Sequence, residues 1–385
     1  MPQAAALPAH PAARRIAVVA NTAWYLANFR LNLMQALRAA GHDVVAVAPA
    51  GEHAAQLTQA GLPFEPVAIS GAGANPLREL GSVLALARVF RRHRVDLVLS
   101  YTSKGNLYSA LACIPAGRDF VPNVSGLGRA FIRPSLVTHV VKLLYRSTFS
   151  RARRVFFQNQ DDLDIFVQAD LVPAALTECL PGSGVDLQRF RPAPLQLRAV
   201  DAPVFLLVAR MLWDKGVGEF VAAARQVRRS HPGARFQLLG FADVDNPSAI
   251  PRRQLADWVA EGVVEYLGAT DDVRPWLAQA DCVVLPSYRE GVPRTLLEAA
   301  ATARPVITTD APGCRDTVRD GVTGWLCRPA DADDLAQRLL DFVASPVVAR
   351  AAMGAEARRF MEQHFDERQV IARYLALAQA GAERH

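Results

Sequence analysis

Lysine is almost missing from this chain. Among 385 residues, with 43 Lys and Arg together, it occurs only at Lys104, Lys142 and Lys215. Arginine therefore carries the positive charge, and a lysine retained against that bias is a candidate for a specific task. Long apolar runs are missing as well, since none approaches the ~18–20 residues that a membrane-crossing helix needs. The five cysteines (Cys113, Cys179, Cys282, Cys314 and Cys327) are scattered, odd in number and without paired spacing. That argues against a zinc module or a disulfide framework, and reduced core thiols imply a cytoplasmic location. There is no low-complexity tract. No RNA- or DNA-binding module accompanies the net charge of +6, so nucleic acid is set aside as a partner. The charge still implies an anionic partner of some kind.

What is present is an ordinary globular composition, 51% hydrophobic and 21% charged, on a chain long enough for two domains. The opening MPQAAALPAHPAARR carries its arginines at the end and runs into a strand pattern, so 1–14 reads as a disordered leader rather than a signal peptide. Short β-branched runs then alternate with helical patterns. Strands are expected at 15–21, 43–49, 96–101, 121–126 and 154–159, with amphipathic segments at 28–40 and 78–92. Apolar strands separated by helices predict a parallel sheet covered on both faces. The Pro- and Gly-rich stretch 181–203 has no sustained periodicity and reads as a connection. The alternation restarts with strands at 204–210, 235–241, 263–268, 282–287, 305–310 and 324–329. Helices are expected there at 216–230, 251–261, 293–303 and 331–344, and a helical stretch at about 347–380 closes the chain. The expected architecture is α/β: two doubly wound domains at 15–190 and 204–360, a linker at 191–203, and a tail at 361–385 returning toward the first domain. In such sheets ligands bind at the carboxyl ends of the strands, here the cleft between the domains.

The stretch YREGVPRTLLEAAATARPVITTD (288–310) holds Glu290 and Glu298, eight positions apart. Glu290 lies in a loop at a strand's carboxyl end, where the free N–H groups of the next helix favour an anion such as phosphate. Glu298 falls about two turns into that helix, on the side of Arg294 and Thr295 by i,i+4 and i,i+3 spacing. Spacing alone leaves two readings open: a loop charge with a Glu–Arg helix pair, or a ligand site. A second cluster, ARMLWDKG, ends the first strand of the second domain and offers Arg210 and Lys215 together. Paired cations beside a helix amino end would neutralise a diphosphate leaving group. Two solvated surface charges are the plainer alternative.

These stretches, with DAPGCRDTVRDGVTGWLCRP (310–329) behind them, resemble the family-4 retaining glycosyltransferases of GT-B fold. The signature of that family is Glu, seven residues, Glu, preceded by an Arg/Lys pair. The resemblance covers residue 15 to about 378 and implies two Rossmann-like domains facing across a cleft. It implies that Arg210 and Lys215 hold the donor diphosphate and that Glu290 contacts the hydroxyls of the transferred sugar. The backbone of Gly291 and Val292 would support sugar and phosphate, and Glu298 would accept from the ribose, with Thr295 on the same donor-binding helix. Glu290, Lys215 and Arg210 are then the candidate catalytic residues. Pro293 stands where many relatives have Gly, so one N–H is missing; Arg294 would offer a charged donor instead. YLGATDD (266–272), which contains Gly268, matches the loop that holds the base, usually uracil, so the expected donor is a UDP-sugar. No metal cofactor is implied, and Asp243 and Asp245 of FADVD follow a strand whose loop usually lies off the phosphates.

The first domain resembles the branch of capsule, O-antigen and lipid-linked oligosaccharide transferases, including enzymes that add N-acetylgalactosamine to polyprenyl-diphosphate-linked sugars. The likeness is carried by NTAWYLANFRLNLMQALRAAGHDVVAVAP (21–49), YTSKGNLYSALA (101–112), NVSGLGRAFI (123–132), VFFQNQDDLDIF (155–166) and PGSGVDLQRF (181–190). Such first domains bind the acceptor. Arg30 and Lys104 are candidates for acceptor or donor phosphates, with ordinary surface charges as the alternative. SGLG (125–128) lies where many relatives carry a His near the anomeric carbon. No His is present, so the backbone of Ser125, Gly126 and Gly128 is the candidate for close approach to the sugar. QNQDD (158–162) reads equally as polar loop and helix cap or as part of the site.

From Phe120 to Gln160 there is no acidic residue. Within that span 133–154 reads as a basic amphipathic helix able to lie on an anionic membrane surface, each basic residue adding ~1 kcal/mol. A core helix with a solvated basic face is the alternative. A polyprenyl-linked acceptor stays in the membrane, so peripheral association with the inner face of the cell membrane fits. The expected activity is retaining transfer of a hexose or N-acetylhexosamine from a UDP-sugar to a polyprenyl-diphosphate-linked saccharide. Two other classes stay open: a UDP-N-acetylhexosamine 2-epimerase-like enzyme of the same fold, and a non-catalytic sugar-nucleotide-binding subunit of polysaccharide assembly.

Overall fold

The structure, a computed structural model, describes residues 13–69, 76–127, 136–192 and 202–380. Most of the expected linker and leader therefore lies outside the described residues. The chain opens with β1 (Arg15–Val19), α1 (Ala23–Phe29), α2 (Leu31–Ala39), β2 (Asp43–Ala48), α3 (Ala54–Gln59) and β3 (Phe64–Pro66). It continues through α4 (Pro76–Arg92), β4 (Leu97–Tyr101), α5 (Ser103–Cys113) and β5 (Asp119–Val124). Then come α6 (Leu136–Phe149), β6 (Val155–Phe157), α7 (Gln160–Gln168) and β7 (Thr177–Cys179). These strands form a seven-stranded sheet in the order β3-β2-β1-β4-β5-β6-β7, parallel throughout. The short strands β3 and β7 have no clear sequence pattern, since edge strands of three residues carry no period.

The second half contains β8 (Val204–Val208), α8 (Val217–Ser230), β9 (Arg235–Leu239), α9 (Arg252–Ala260), β10 (Glu265–Tyr266) and α10 (Arg274–Gln279). It goes on with β11 (Cys282–Leu285), α11 (Arg294–Ala301), β12 (Val306–Thr309), β13 (Gly324–Cys327) and α12 (Ala332–Ala344). Its six strands are ordered β10-β9-β8-β11-β12-β13, again all parallel. Every residue of β11 and β12 is buried, as covered parallel strands require. The strand order reverses between β1 and β4 in one sheet and between β8 and β11 in the other. Such switch points open a crevice at the carboxyl ends of the strands.

Three expected helices are divided differently. The segment 28–40 is two helices broken at Arg30, which ends α1 and starts α2. Thr22 explains why α1 starts earlier than its apolar pattern: its hydroxyl accepts from the Tyr25 N–H at 3.1 Å, capping the helix. The stretch 347–380 is likewise two helices, α13 (Val347–His364) and α14 (Glu367–Gln379). The passage between them is tight, because a Cβ on Gly184 (φ +69°) would lie 2.4 Å from the Glu367 Cα. Ala357, Met361 and Phe365 pack into the second half. Val370, Tyr374, Leu377 and Ala378 of α14 instead share the first half's core with Leu26, Met34 and Leu37.

The third is the basic segment. Its helix α6 ends at Phe149, and Arg153 and Arg154 lie beyond it. Arg153 is 2.8 Å from Asp119, Arg154 is 3.8 Å from Glu178, and Arg146 is 3.5 Å from Asp170. These acidic partners lie outside the acid-free stretch in sequence, so the positive face is smaller than composition implies. Arg129 and Arg133 lie outside the described residues. Among the described residues no helix is long and apolar enough to cross a membrane.

Candidate active site

Adjacent pairing of β8 and β11 sets the loops that follow them side by side. The backbone holds them together at several points. Asp214 O accepts from the Ser287 hydroxyl at 3.1 Å and from the Tyr288 N–H at 3.0 Å. Gly216 adopts φ +72°, and a Cβ there would lie 2.0 Å from Pro286 O, so the approach requires glycine. As a result Lys215 Nζ donates to Glu290 Oε1. Their side chains are 19% and 14% exposed, so the pair is shielded but open to a ligand. Arg210 sits at the end of β8, is exposed, and makes no side-chain hydrogen bond or ion pair that is seen among the described residues.

A third loop supports Glu290 from below. Its N–H donates to Pro312 O at 3.0 Å. Gly313 (φ +78°) lies so near that a Cβ would come within 2.2 Å of Gly291 O. The Cys314 thiol beneath is pushed up to about 12 by burial, with Glu290 adding to the effect, so it stays a neutral packing group.

The first half reaches the same loop. Gln158 Oε1 accepts from the Val292 N–H at 3.1 Å, and Asn159 Nδ2 donates to Glu290 O at 3.2 Å and to Gly291 O at 2.8 Å. Ser125 O would be 2.7 Å from a Cβ on Gly291, and one on Gly126 (φ +121°) would be 3.6 Å from the Gly291 N. Ser125 and Gly126 are thus brought to Glu290's neighbour; Gly128 lies outside the described residues. Asp162, wholly buried, pairs with Arg289. Burial raises its carboxyl above the ordinary range, and Arg289 opposes that rise. QNQDD is open in sequence between a polar loop with a helix cap and part of the site: Asn159 does cap α7, accepting from the Asp162 N–H at 2.8 Å, and it also reaches the Glu290 loop. Arg289 and Gly313 had no signal, because their partners are distant in sequence.

On α11, Arg294 Nε is 2.9 Å from Glu298 Oε1, each side chain being 13% exposed. Burial raises the Glu298 carboxyl and Arg294 works against it. Arg294 also lies 4.9 Å from the Phe29 ring centre, across the halves. Thr295 donates its hydroxyl to Val208 O at 3.1 Å, which ties α11 to the end of β8. Gly268 (φ +78°) accepts from the Gly240 N–H at 2.8 Å through its carbonyl. Asp243, beyond β9, pairs with Arg252.

The two first-half cations have partners within the fold. Arg30 is 2% exposed, lies 4.0 Å from the Tyr101 ring centre and donates to the Tyr25 hydroxyl at 3.1 Å. Its Nε has no hydrogen-bond partner among the described residues. Lys104, at the start of α5, is 2.8 Å from Glu79 on α4. Those partners are ones that only folding supplies, and the pairing with Glu79 and with Tyr25 and Tyr101 is what the sequence did not show.

Residues 26–183 match the model described as glycosyl transferase 4-like domain, and residues 202–345 match glycosyl transferases group 1. Together they span more than half of the chain. An N,N'-diacetylbacillosaminyl-diphospho-undecaprenol alpha-1,3-N-acetylgalactosaminyltransferase of Campylobacter jejuni is 28% identical over 94% of this chain and 98% of its own. A UDP-Gal:alpha-D-GlcNAc-diphosphoundecaprenol alpha-1,3-galactosyltransferase of Escherichia coli is 25% identical over 69% of this chain and 70% of its own. Among solved structures, Anabaena HepE in complex with UDP and glucose superposes with a TM-score of 0.76 at 21% identity, covering 94% of this chain and 99% of that one. A glycosyltransferase from Rickettsia africae gives a TM-score of 0.77 at 18% identity, over 97% and 99%. At that identity the likeness is one of fold, the GT-B pair of Rossmann-like sheets. With both halves of the molecule matched, the chain belongs to the glycosyltransferases that join a 4-like first domain to a group 1 second domain.

Proposed function

We propose that the protein is a retaining glycosyltransferase that moves a hexose or N-acetylhexosamine from a UDP-sugar to a polyprenyl-diphosphate-linked saccharide. The observation that carries the reading is the meeting of Lys215 and Glu290 at the β8/β11 switch point, with Arg210 at the same strand end. The C. jejuni relative matches along nearly its whole length and is named for a diphospho-undecaprenol acceptor. HepE, of the same fold, was solved with UDP and glucose.

Without donor, Lys215 and Glu290 neutralise each other. An arriving diphosphate offers Lys215 a more highly charged partner, shared with Arg210, and frees the Glu290 carboxylate for sugar hydroxyls. Glu298 accepts from the ribose hydroxyls. In the transfer the bond from the anomeric carbon to the diphosphate oxygen breaks and one to the acceptor oxygen forms on the same face. The acceptor proton passes to the departing phosphate, so no carboxylate nucleophile is needed. Arg210 and Lys215 stabilise the charge that grows there.

The acceptor stays in a membrane, and the first half carries exposed apolar side chains that suit one. Leu77, Leu80 and Leu84 of α4 and Val140 and Leu143 of α6 are exposed, on helices that both pack against α5. This supports peripheral attachment at the inner face of the cell membrane. The test is a donor screen by UDP release against polyprenyl-diphosphate-linked saccharides in detergent. Release that depends on acceptor supports the proposal. Intact donor with every acceptor, or epimerised product from UDP-N-acetylhexosamine alone, overturns it.

A further inference from the structure

The loop that carries Glu290 is not held by its own half alone. Four consecutive residues of it are each bound by a group from residues 158–162 of the first half. Arg289 pairs with Asp162, Glu290 O and Gly291 O accept from Asn159 Nδ2, and the Val292 N–H donates to Gln158 Oε1. These partners are themselves fixed. Asn159 is 2% exposed and Asp162 is fully buried. Gln158 Nε2 donates to Asn123 Oδ1 at 3.2 Å, and Asn123 in turn donates to the Tyr374 hydroxyl at 3.2 Å. Glu290 thus has its N–H set by Pro312 of the second half and its carbonyl set by Asn159 of the first.

We infer that Asn159 is a positioning residue, which places the Glu290 carboxylate only when the two halves are in contact. The inference rests on the proposed role of Glu290 toward the transferred sugar. Asn159 uses its two ends for different tasks. Its Oδ1 accepts from the Asp162 N–H and caps α7, while its Nδ2 donates across the cleft and, at 3.3 Å, to the Asp162 carboxylate. Separation of the halves removes the carbonyl anchor and leaves Glu290 to pair with Lys215 on a less constrained loop. Contact restores the anchor, so the sugar side of the site is completed by the acceptor-binding half. The diphosphate and ribose groups Lys215, Arg210 and Glu298 do not depend on this bond.

The two tasks can be separated by substitution. Asn159→Ser and Asn159→Asp keep a side-chain oxygen suited to capping α7, but neither has an amide donor for the two carbonyls. Asn159→Ser is expected to melt near the wild-type temperature and Asn159→Asp below it, because its carboxylate faces two carbonyls and the buried Asp162. Both are expected to bind UDP, titrated by calorimetry, with unchanged affinity. Their kcat with a UDP-sugar and a polyprenyl-diphosphate-linked saccharide is expected to fall about tenfold to a hundredfold, as for a small misplacement of a catalytic group. Wild-type kcat in Asn159→Ser overturns the inference. So does a fall in UDP affinity that accounts for the whole loss. Glu290→Gln, assayed beside them, separates the two levels. If Glu290→Gln loses turnover and the Asn159 variants do not, the positioning role alone fails. If Glu290→Gln keeps wild-type turnover, the reading of the site fails with it.

Discussion

Lys215, on the loop after β8, donates to Glu290, on the loop after β11, and the two side chains are only 19% and 14% exposed. The pair is sheltered enough for its charges to matter and open enough for a ligand to divide them. Lys215→Ala and Glu290→Ala are therefore expected to stay folded while turnover falls by about a hundredfold or more. Lys215→Arg is not expected to restore it, because a planar guanidinium does not replace a compact ammonium. Steady-state UDP release measures all three, and wild-type rates in both alanine variants would remove the site assignment.

Gly216 allows the two loops to meet. With φ +72° and only 2.0 Å between a built Cβ and Pro286 O, Gly216→Ala has both strain and a backbone clash. Stability is expected to fall by about 1–3 kcal/mol, read from urea unfolding, with turnover falling as Lys215 is displaced. An alanine variant as stable and as active as wild type would show that the close approach is not needed.

The role proposed for Glu298 implies a pH dependence of definite sign. Burial raises its carboxyl, and the adjacent Arg294 lowers it. If the ribose needs the carboxylate form, UDP affinity decreases as pH falls through the Glu298 pKa. Arg294→Met removes the lowering influence, so that acid limb moves to higher pH. Calorimetric UDP titrations across the acid range measure it. A limb that moves to lower pH, or an affinity without an acid limb, would contradict the role given to Glu298.

The exposed apolar side chains of α4 and α6 predict a separable effect. Leu80 is 55% exposed and Leu143 is 66% exposed. The double variant Leu80→Glu, Leu143→Glu should reduce cosedimentation with anionic phospholipid vesicles, because it removes insertion and adds repulsion. Turnover on detergent-dispersed acceptor should be unchanged. Equal vesicle binding by wild type and variant would rule out these side chains as the membrane contact.

Much of the framework is local in origin. Apolar β-branched runs such as RIAVV and CVVL specify buried parallel strands wherever they occur, and the same reasoning places ARMLWDKG and PSYREG after strands. The breaks at Arg30 and at Phe365–Asp366 were not legible, because each falls inside a continuous helical pattern and is made by packing. Lys104 and Arg30 show the matching limit for charge. Their partners, Glu79 for one and Tyr25 and Tyr101 for the other, depend on which elements become neighbours.

The sequence by itself determined the class of the molecule: two alternating α/β halves, a Glu-x7-Glu helix start, and one lysine beside an arginine at a strand end. Those are properties of short stretches, decided by period, turn chemistry and residue type. Only the tertiary structure decided that Lys215 meets Glu290, that Gly216 and Gly313 must be glycine, and that Gln158, Asn159 and Asp162 hold the Glu290 loop from the other half. Each of these is a contact between residues far apart in the chain. No local pattern encodes such a contact, because it exists only once both sheets are packed and their strand ends face one cleft.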